Sequence, residues 1–177
     1  DENIDLGIKH MSNSAASEKK EYDLDMIRLG IGMYGYSYND IKNQELDLKP
    51  AMKLESLISN IKLLKKGCKV SYNGKYTLEN DEWIATIPIG YADGISRSLS
   101  CKNFELVLDN GEKGISVGNI CMDQMMIKLP EKADIGTKVY IFGYDNKSGY
   151  NIAKLADTII YEIVCGINKR VKREYEI

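Results

Sequence analysis

The chain has 177 residues, 44% of them hydrophobic, with a net charge of −2 and a pI near 5.6. This length allows one domain, or one domain plus a piece of another. The acidic balance argues against a nucleic-acid surface, which would favour a basic face, and no apolar run reaches the roughly 18 residues that a membrane span needs.

No signal-peptide pattern opens the chain, so a cytoplasmic location is expected, although upstream sequence could still carry a leader or a membrane anchor. The four cysteines, Cys68, Cys101, Cys121 and Cys165, form no C-x-x-C pair, and His10 is the single histidine. A zinc site is therefore not expected, and reduced thiols fit better than disulfides.

Residues 1 to about 45 read as strand, short helix, strand. Gly7-Ile8-Lys9-His10-Met11 is short and ends at a Ser/Asn cluster. Ser14 before Ala15-Ala16, with Glu18 following, predicts a helix start. Met26 to Tyr36 is rich in Ile, Leu, Met and Tyr and is broken by Gly30, Gly32 and Gly35, which suits a buried strand running into a loop. The polar stretch Asn39 to Pro50 places a boundary between 1–45 and 46–177.

Beyond it β patterning dominates. Trp83, Ala85, Ile87 and Ile89 alternate along one face. Phe104, Leu106 and Leu108 do the same, and Asp109-Asn110-Gly111 then predicts a hairpin turn, because Asn-Gly tolerates positive φ. Ser116-Val117 and Met125-Met126-Ile127 read as further strands, and Val139 to Phe142 as a central one. Ile152, Leu155, Ala156 and Ile159 share one helical face behind Asn151. The basic tail, Lys169, Arg170, Lys172 and Arg173, reads as a solvated end beside Glu174 and Glu176.

Two segments carry chemistry. In Ile87-Pro88-Ile89-Gly90-Tyr91-Ala92-Asp93-Gly94 a tyrosine stands in a Gly-bracketed turn directly after an apolar strand. A side chain there is held by the turn and projects from the sheet end, as an acid or base must. The second segment is Ile120-Cys121-Met122-Asp123-Gln124. Together they resemble the C-terminal domain of alanine racemases, which use pyridoxal 5'-phosphate (PLP), and the resemblance runs through nearly the whole chain. It implies a mainly β fold: a C-terminal β-barrel-like domain of the alanine racemase type over 46–177, preceded by the last strand-helix-strand remnant of a PLP-binding (β/α)8 barrel over 1–45.

The resemblance also implies roles. The run His10 to Ala16, followed by Arg28 to Gly35, is similar to the phosphate end of that barrel, where loops after the last strands hold phosphate. Ser14 and the amides of Gly30 and Ile31 would bind the cofactor phosphate, as a hydroxyl and free N–H groups at a helix start can. Read alone, Ser-Ala-Ala is a helix cap and the glycines are loop punctuation. Arg28 would face the pyridine nitrogen; arginine keeps its proton, so it weakens the ring as an electron sink and favours racemisation over transamination. His10 and Asn13 would hold Arg28 in place.

Racemisation removes a proton from one face of Cα and returns it on the other, so two bases are needed. Tyr91 would be one, opposite a lysine. The chain has 12 tyrosines, and only the flanking Ile-Gly and Ala-Asp-Gly select this one. Met122 would offer its backbone N–H to the substrate carboxylate, with Asp123 ordering the loop near the entrance. Tyr161 would contact the phosphate and border the pocket, limiting the group on Cα and favouring alanine; otherwise it is an aromatic packed on Leu155 and Ile159. The sequence departs from the family at Asn119, where arginine is usual, at Asn73, where glycine is usual, and in Val171-Lys172-Arg173, which lacks a proline.

A full (β/α)8 barrel takes roughly 250 residues, so this chain looks like the second half of an enzyme. The lysine that holds PLP, a histidine that stacks on it and an arginine that binds the substrate carboxylate have no counterparts here. The expectation is a chain inactive alone, completed by the missing barrel portion in a head-to-tail homodimer, with Tyr91 and Met122 acting in trans on alanine for D-alanine supply to peptidoglycan. A serine racemase of the glycopeptide-resistance type and a non-catalytic β domain are the alternatives.

Overall fold

A computed structural model describes Asp5, residues 7–38 and residues 46–176. Residues 39–45, which hold most of the polar stretch assigned to the boundary, lie outside the described residues. The chain divides into two compact units, Asp1–Met52 and Lys53–Ile177.

In the first unit β1 (His10–Asn13) leads into α1 (Ser14–Ser17) and pairs in parallel with β2 (Met26–Arg28). A 3-10 turn, Ile31–Tyr34, follows. The cap of α1 is Asn13, whose Oδ1 accepts from the Ala16 N–H at 3.0 Å. Ser14, expected before the helix, is its first residue, which frees its hydroxyl for other work. The sequence reading of a buried strand over Met26 onward is corrected: all three residues of β2 are exposed. Parallel strands are normally covered on both faces by helices, and a two-stranded pair with one short helix has too little to cover it.

The second unit is a seven-stranded antiparallel sheet. Its strands are β3 (Leu54–Leu57), β4 (Asn60–Leu64), β7 (Glu82–Ile87), β8 (Glu105–Leu108), β9 (Lys113–Val117), β10 (Met125–Leu129) and β11 (Lys138–Phe142). Their spatial order is β3-β11-β8-β9-β10-β7-β4. The two edge strands, β3 and β4, are consecutive in the chain and joined only through Ile58 and Ser59. A sheet whose opposite edges meet at one short corner has to curl, so the mainly β, barrel-like fold follows from the connectivity. Between β4 and β7 a small ribbon is formed by β5 (Lys69–Val70) and β6 (Tyr76–Thr77).

The period-two pattern places the core. Leu106 and Leu108 of β8 are buried while Glu105 is exposed. Gly111, at φ +86°, closes the β8–β9 hairpin as the Asn-Gly step predicts. β11 is internal, paired on both sides, with Val139, Ile141 and Phe142 buried. β7 buries Ala85 and Ile87 on one face and Ile84 on the other. Ile84 faces a second cluster with Val70, Leu78, Val117, Cys121 and Met126.

The single helix expected near the C-terminus is two: α2 (Ser148–Leu155) and α3 (Ile160–Gly166). Asp157 adopts φ +57° between them, and Ile159 is exposed rather than on a buried face. The start of α2 is set by Asp145, whose Oδ1 accepts from the N–H groups of Lys147 and Ser148. No helix among the described residues is long and apolar enough to cross a membrane. All four cysteines are free.

Candidate functional site

Sheet pairing brings two loops to one end of the second unit. Ile87, at the end of β7, pairs with Met125 at the start of β10; Met126 pairs with Val117 at the end of β9. The turn after β7 and the loop that joins β9 to β10 therefore leave from the same edge. The first carries Tyr91, and the second carries Asn119, Met122 and Asp123.

The Tyr91 turn is clamped to the Met122 loop through the backbone. The Tyr91 N–H donates to the Cys121 carbonyl and the Ala92 N–H to the Met122 carbonyl, each at 3.0 Å. Gly90 makes this approach possible: a Cβ there would lie 2.3 Å from the Cys121 oxygen and 2.5 Å from that of Met122. Gly94, at φ +112°, does the same against α3, where a Cβ would meet the Gly166 carbonyl at 2.4 Å. The side chains of Tyr91 and Met122 stay open, at 44% and 53% exposure.

Asp93 is the buried charge of this end, 8% exposed. Its Oδ2 accepts the Gly90 N–H at 2.8 Å, and its Oδ1 accepts from the Arg170 Nε at 2.6 Å. Burial alone would raise its pKa, but the Arg170 and Gly90 hydrogen bonds and the Arg170 charge outweigh burial and hold the carboxyl below its usual range. Arg170 also donates from Nη2 to Asp123 Oδ1 at 2.6 Å. The tail is thus not simply a solvated end. Arg170 ties it to both loops, and the Arg173 guanidinium donates to the carbonyls of Ile167, Asn168 and Val171. Nothing in the spacing of the tail marked Arg170 out from its basic neighbours.

A second tyrosine projects near this end. Tyr72 opens a turn after β5 and is 71% exposed. Ser71 before it (φ +68°) and Asn73 after it (φ +61°) are both left-handed. Asn73, in the place of a usual glycine, suits that geometry, since Asn is among the few residues that tolerate it. The turn is pinned to the loop after β9: the Asn119 N–H donates to Ser71 Oγ at 2.9 Å and the Asn119 Nδ2 to the Tyr72 carbonyl at 3.2 Å. The sequence reading passed over Tyr72. The signal was the Asn-Gly step that follows it, a turn marker.

Tyr161 lies in the first turn of α3, half-buried. Gly94 abuts the opposite end of that helix.

The first unit gathers the remaining expected residues. Ser14 Oγ accepts the Gly30 N–H at 2.7 Å and lies 3.5 Å from the Gly32 nitrogen. The opening amides of the Ile31–Tyr34 turn have no partner within the turn. The N–H groups of Gly30 and Gly32 thus both point at the Ser14 hydroxyl. Arg28 Nη1 lies 2.7 Å from His10 Nδ1. Asn13 uses its side-chain oxygen on α1 instead.

Residues 51–175 match the family model described as alanine racemase, C-terminal domain. The alanine racemase of Pediococcus pentosaceus is 45% identical over 171 residues, covering 94% of this chain and 45% of the relative. That of Halothermothrix orenii is 43% identical over 179 residues, covering 98% and 47%. The solved alanine racemase of Clostridium difficile in complex with cycloserine superposes with a TM-score of 0.88 at 42% identity, over 98% of this chain and 47% of that one. A histidine racemase from Leuconostoc mesenteroides superposes with a TM-score of 0.77 at 30% identity, over 86% and 42%. The chain spans about half the length of the curated relatives it matches.

Proposed function

The chain belongs to the alanine racemase family, and from that membership we propose that it supplies part of a PLP-dependent site that interconverts L-alanine and D-alanine, providing D-alanine for peptidoglycan. The observation that carries this reading is the loop cluster at the end of the curled sheet, where a tyrosine turn is locked by backbone contacts to the Met122 loop.

The residues of the first unit suit PLP. Ser14, with the amides of Gly30 and Ile31, would hold its phosphate, and Arg28, steadied by His10, would face its ring nitrogen. Tyr161 would add a contact to the phosphate and limit the size of the substrate side chain. When bound, PLP makes the hydrogen on the amino acid Cα acidic. What this chain adds is orientation and a proton carrier. Met122 would position the substrate carboxylate through its backbone, Asp123 would order that loop, and a tyrosine hydroxyl would exchange the proton on one face of Cα.

Two tyrosines at this end can fill that last role. The sequence motif selects Tyr91. Tyr72 is the more exposed of the two, and its turn is pinned to the loop that carries Met122, which supports it as the second candidate. A phenol needs nearby positive charge to act as a base near neutrality, and that charge would come from the portion carrying the lysine. In this reading the complete enzyme is a cytoplasmic head-to-tail homodimer, and residues 1–45 complete its barrel.

The test combines this chain with a lysine-bearing (β/α)8 portion, PLP and L-alanine. D-alanine should form with both portions and not with the chain alone. Activity of the chain alone, or inactivity of the combination, would contradict the proposal. L-serine and L-histidine as competing substrates distinguish a serine racemase or a histidine racemase; alanine should be turned over fastest.

A further inference from the structure

We propose that Arg170 is a positioning residue that fixes the spacing between the Tyr91 turn and the Met122 loop, an inference that rests on the proposed racemase site. One guanidinium spans two carboxylates on different loops: Nε reaches Asp93 Oδ1 and Nη2 reaches Asp123 Oδ1, both at 2.6 Å. Arginine suits this because its planar fork presents several donors in fixed directions and never loses its charge. Charge-assisted hydrogen bonds of this kind are short and about twice as strong as neutral ones.

The two ends of the bridge differ. Asp93 is a buried carboxylate with every oxygen engaged: Oδ2 takes the Gly90 N–H, Oδ1 takes Arg170, and its backbone carbonyl takes the Asn168 N–H at 2.9 Å. It is the anchor. Asp123 is an exposed residue next to Met122, and its side chain is 56% exposed. It is the adjustable end. Arg170 itself is held by the backbone, its N–H donating to Asn168 Oδ1 at 3.1 Å. The C-terminal segment therefore reads the position of the Met122 loop against a fixed Asp93. The backbone clamp of Tyr91 on Cys121 sets where the two loops touch, and Arg170 sets the angle at which Asp123, and Met122 with it, leave that contact.

Two readouts test this. The first is amide hydrogen exchange on the 177-residue chain. Arg170→Gln should speed exchange of the Tyr91 and Ala92 amides about tenfold or more and leave the β10 amides unchanged, with Arg170→Lys in between. Unchanged Tyr91 and Ala92 amides, or equal acceleration in β10, would overturn the proposal. The second readout is kinetic, in the complete enzyme. Asp123→Asn, a surface change that leaves the Asp93 anchor intact, should raise KM for alanine several-fold with kcat within about twofold. Arg170→Gln should raise KM at least as much, and the double variant should be no worse than Arg170→Gln alone. Independent, multiplying effects on KM would overturn it. If the complete enzyme shows no racemisation while the exchange result holds, the proposed function fails and the loop coupling stands.

Discussion

The two units bury their apolar residues to very different extents. In the second, Leu106, Met125, Ile127, Val139 and Ile141 are closed off by a sheet that curls back to its own first corner. In the first, Ile31 and Tyr36 are buried, but Met11, Leu24, Met26, Leu29 and Met33 are all exposed, and polar contacts add to the hold. Asn13 caps α1, Ser14 takes the Gly30 N–H, and Glu18 takes the Ser37 hydroxyl and the Tyr38 N–H. A curled antiparallel sheet makes its own core. A parallel two-stranded pair does not, and its sequence carries apolar residues that call for further cover.

That contrast can be broken most directly by truncation. Leu106→Ala should cost about 2–5 kcal/mol, the range for a fully buried leucine, whereas Met11→Ala should stay within about 0.5 kcal/mol, as exposed positions do. Urea unfolding followed by circular dichroism measures both, and equal losses would contradict the description of the two units. Next in size is the clamp at the sheet end. Gly90→Ala would force a Cβ against two carbonyl oxygens and should cost about 1–3 kcal/mol, as overpacking does; a variant as stable as the parent would mean the turn is not locked. In the first unit Ser14→Ala should cost about 1 kcal/mol, the worth of one hydrogen bond, and speed exchange of the Gly30 amide.

The smallest effect is one of pH. The Asp93 carboxyl is held below its ordinary value, so its ionised form stabilises the fold fully above the unfolded value near 4. That stability is lost as pH falls through the lowered folded value. Asp93→Asn should flatten the fall in stability between about pH 5 and pH 2. An unchanged slope would mean that the Arg170–Asp93 pair contributes nothing.

Much of the second unit was legible because period-two patterns and an Asn-Gly hairpin are local signals that burial then reinforces. Leu106 and Leu108 face the core as their alternation predicts. The errors share a cause. β2 was read as buried because its residues are apolar, yet burial depends on what lies opposite, and the two-stranded pair supplies little. The helix over 151–159 was read as one because the apolar spacing continues across Asp157, whose left-handed backbone has no periodic signature. At the candidate site the motif marks the Tyr91 turn, but it does not show the contacts of Arg170 or of the Tyr72 turn. Their significance lies in contacts across 77 and 47 residues of sequence, to Asp93 and Asn119, and one chain read alone does not show such pairs.

The central claim is that a tyrosine on this sheet end moves the proton on one face of Cα. Wash-in of deuterium at Cα, followed separately from L-alanine and D-alanine in the complete enzyme with PLP, tests it most directly. Replacing the responsible tyrosine by phenylalanine, Tyr72→Phe or Tyr91→Phe, should cut exchange from one enantiomer by about 100-fold or more, within the range for losing a general base, and leave exchange from the other nearly intact. If both variants exchange both enantiomers at the parent rate, or lose both equally, the account is wrong.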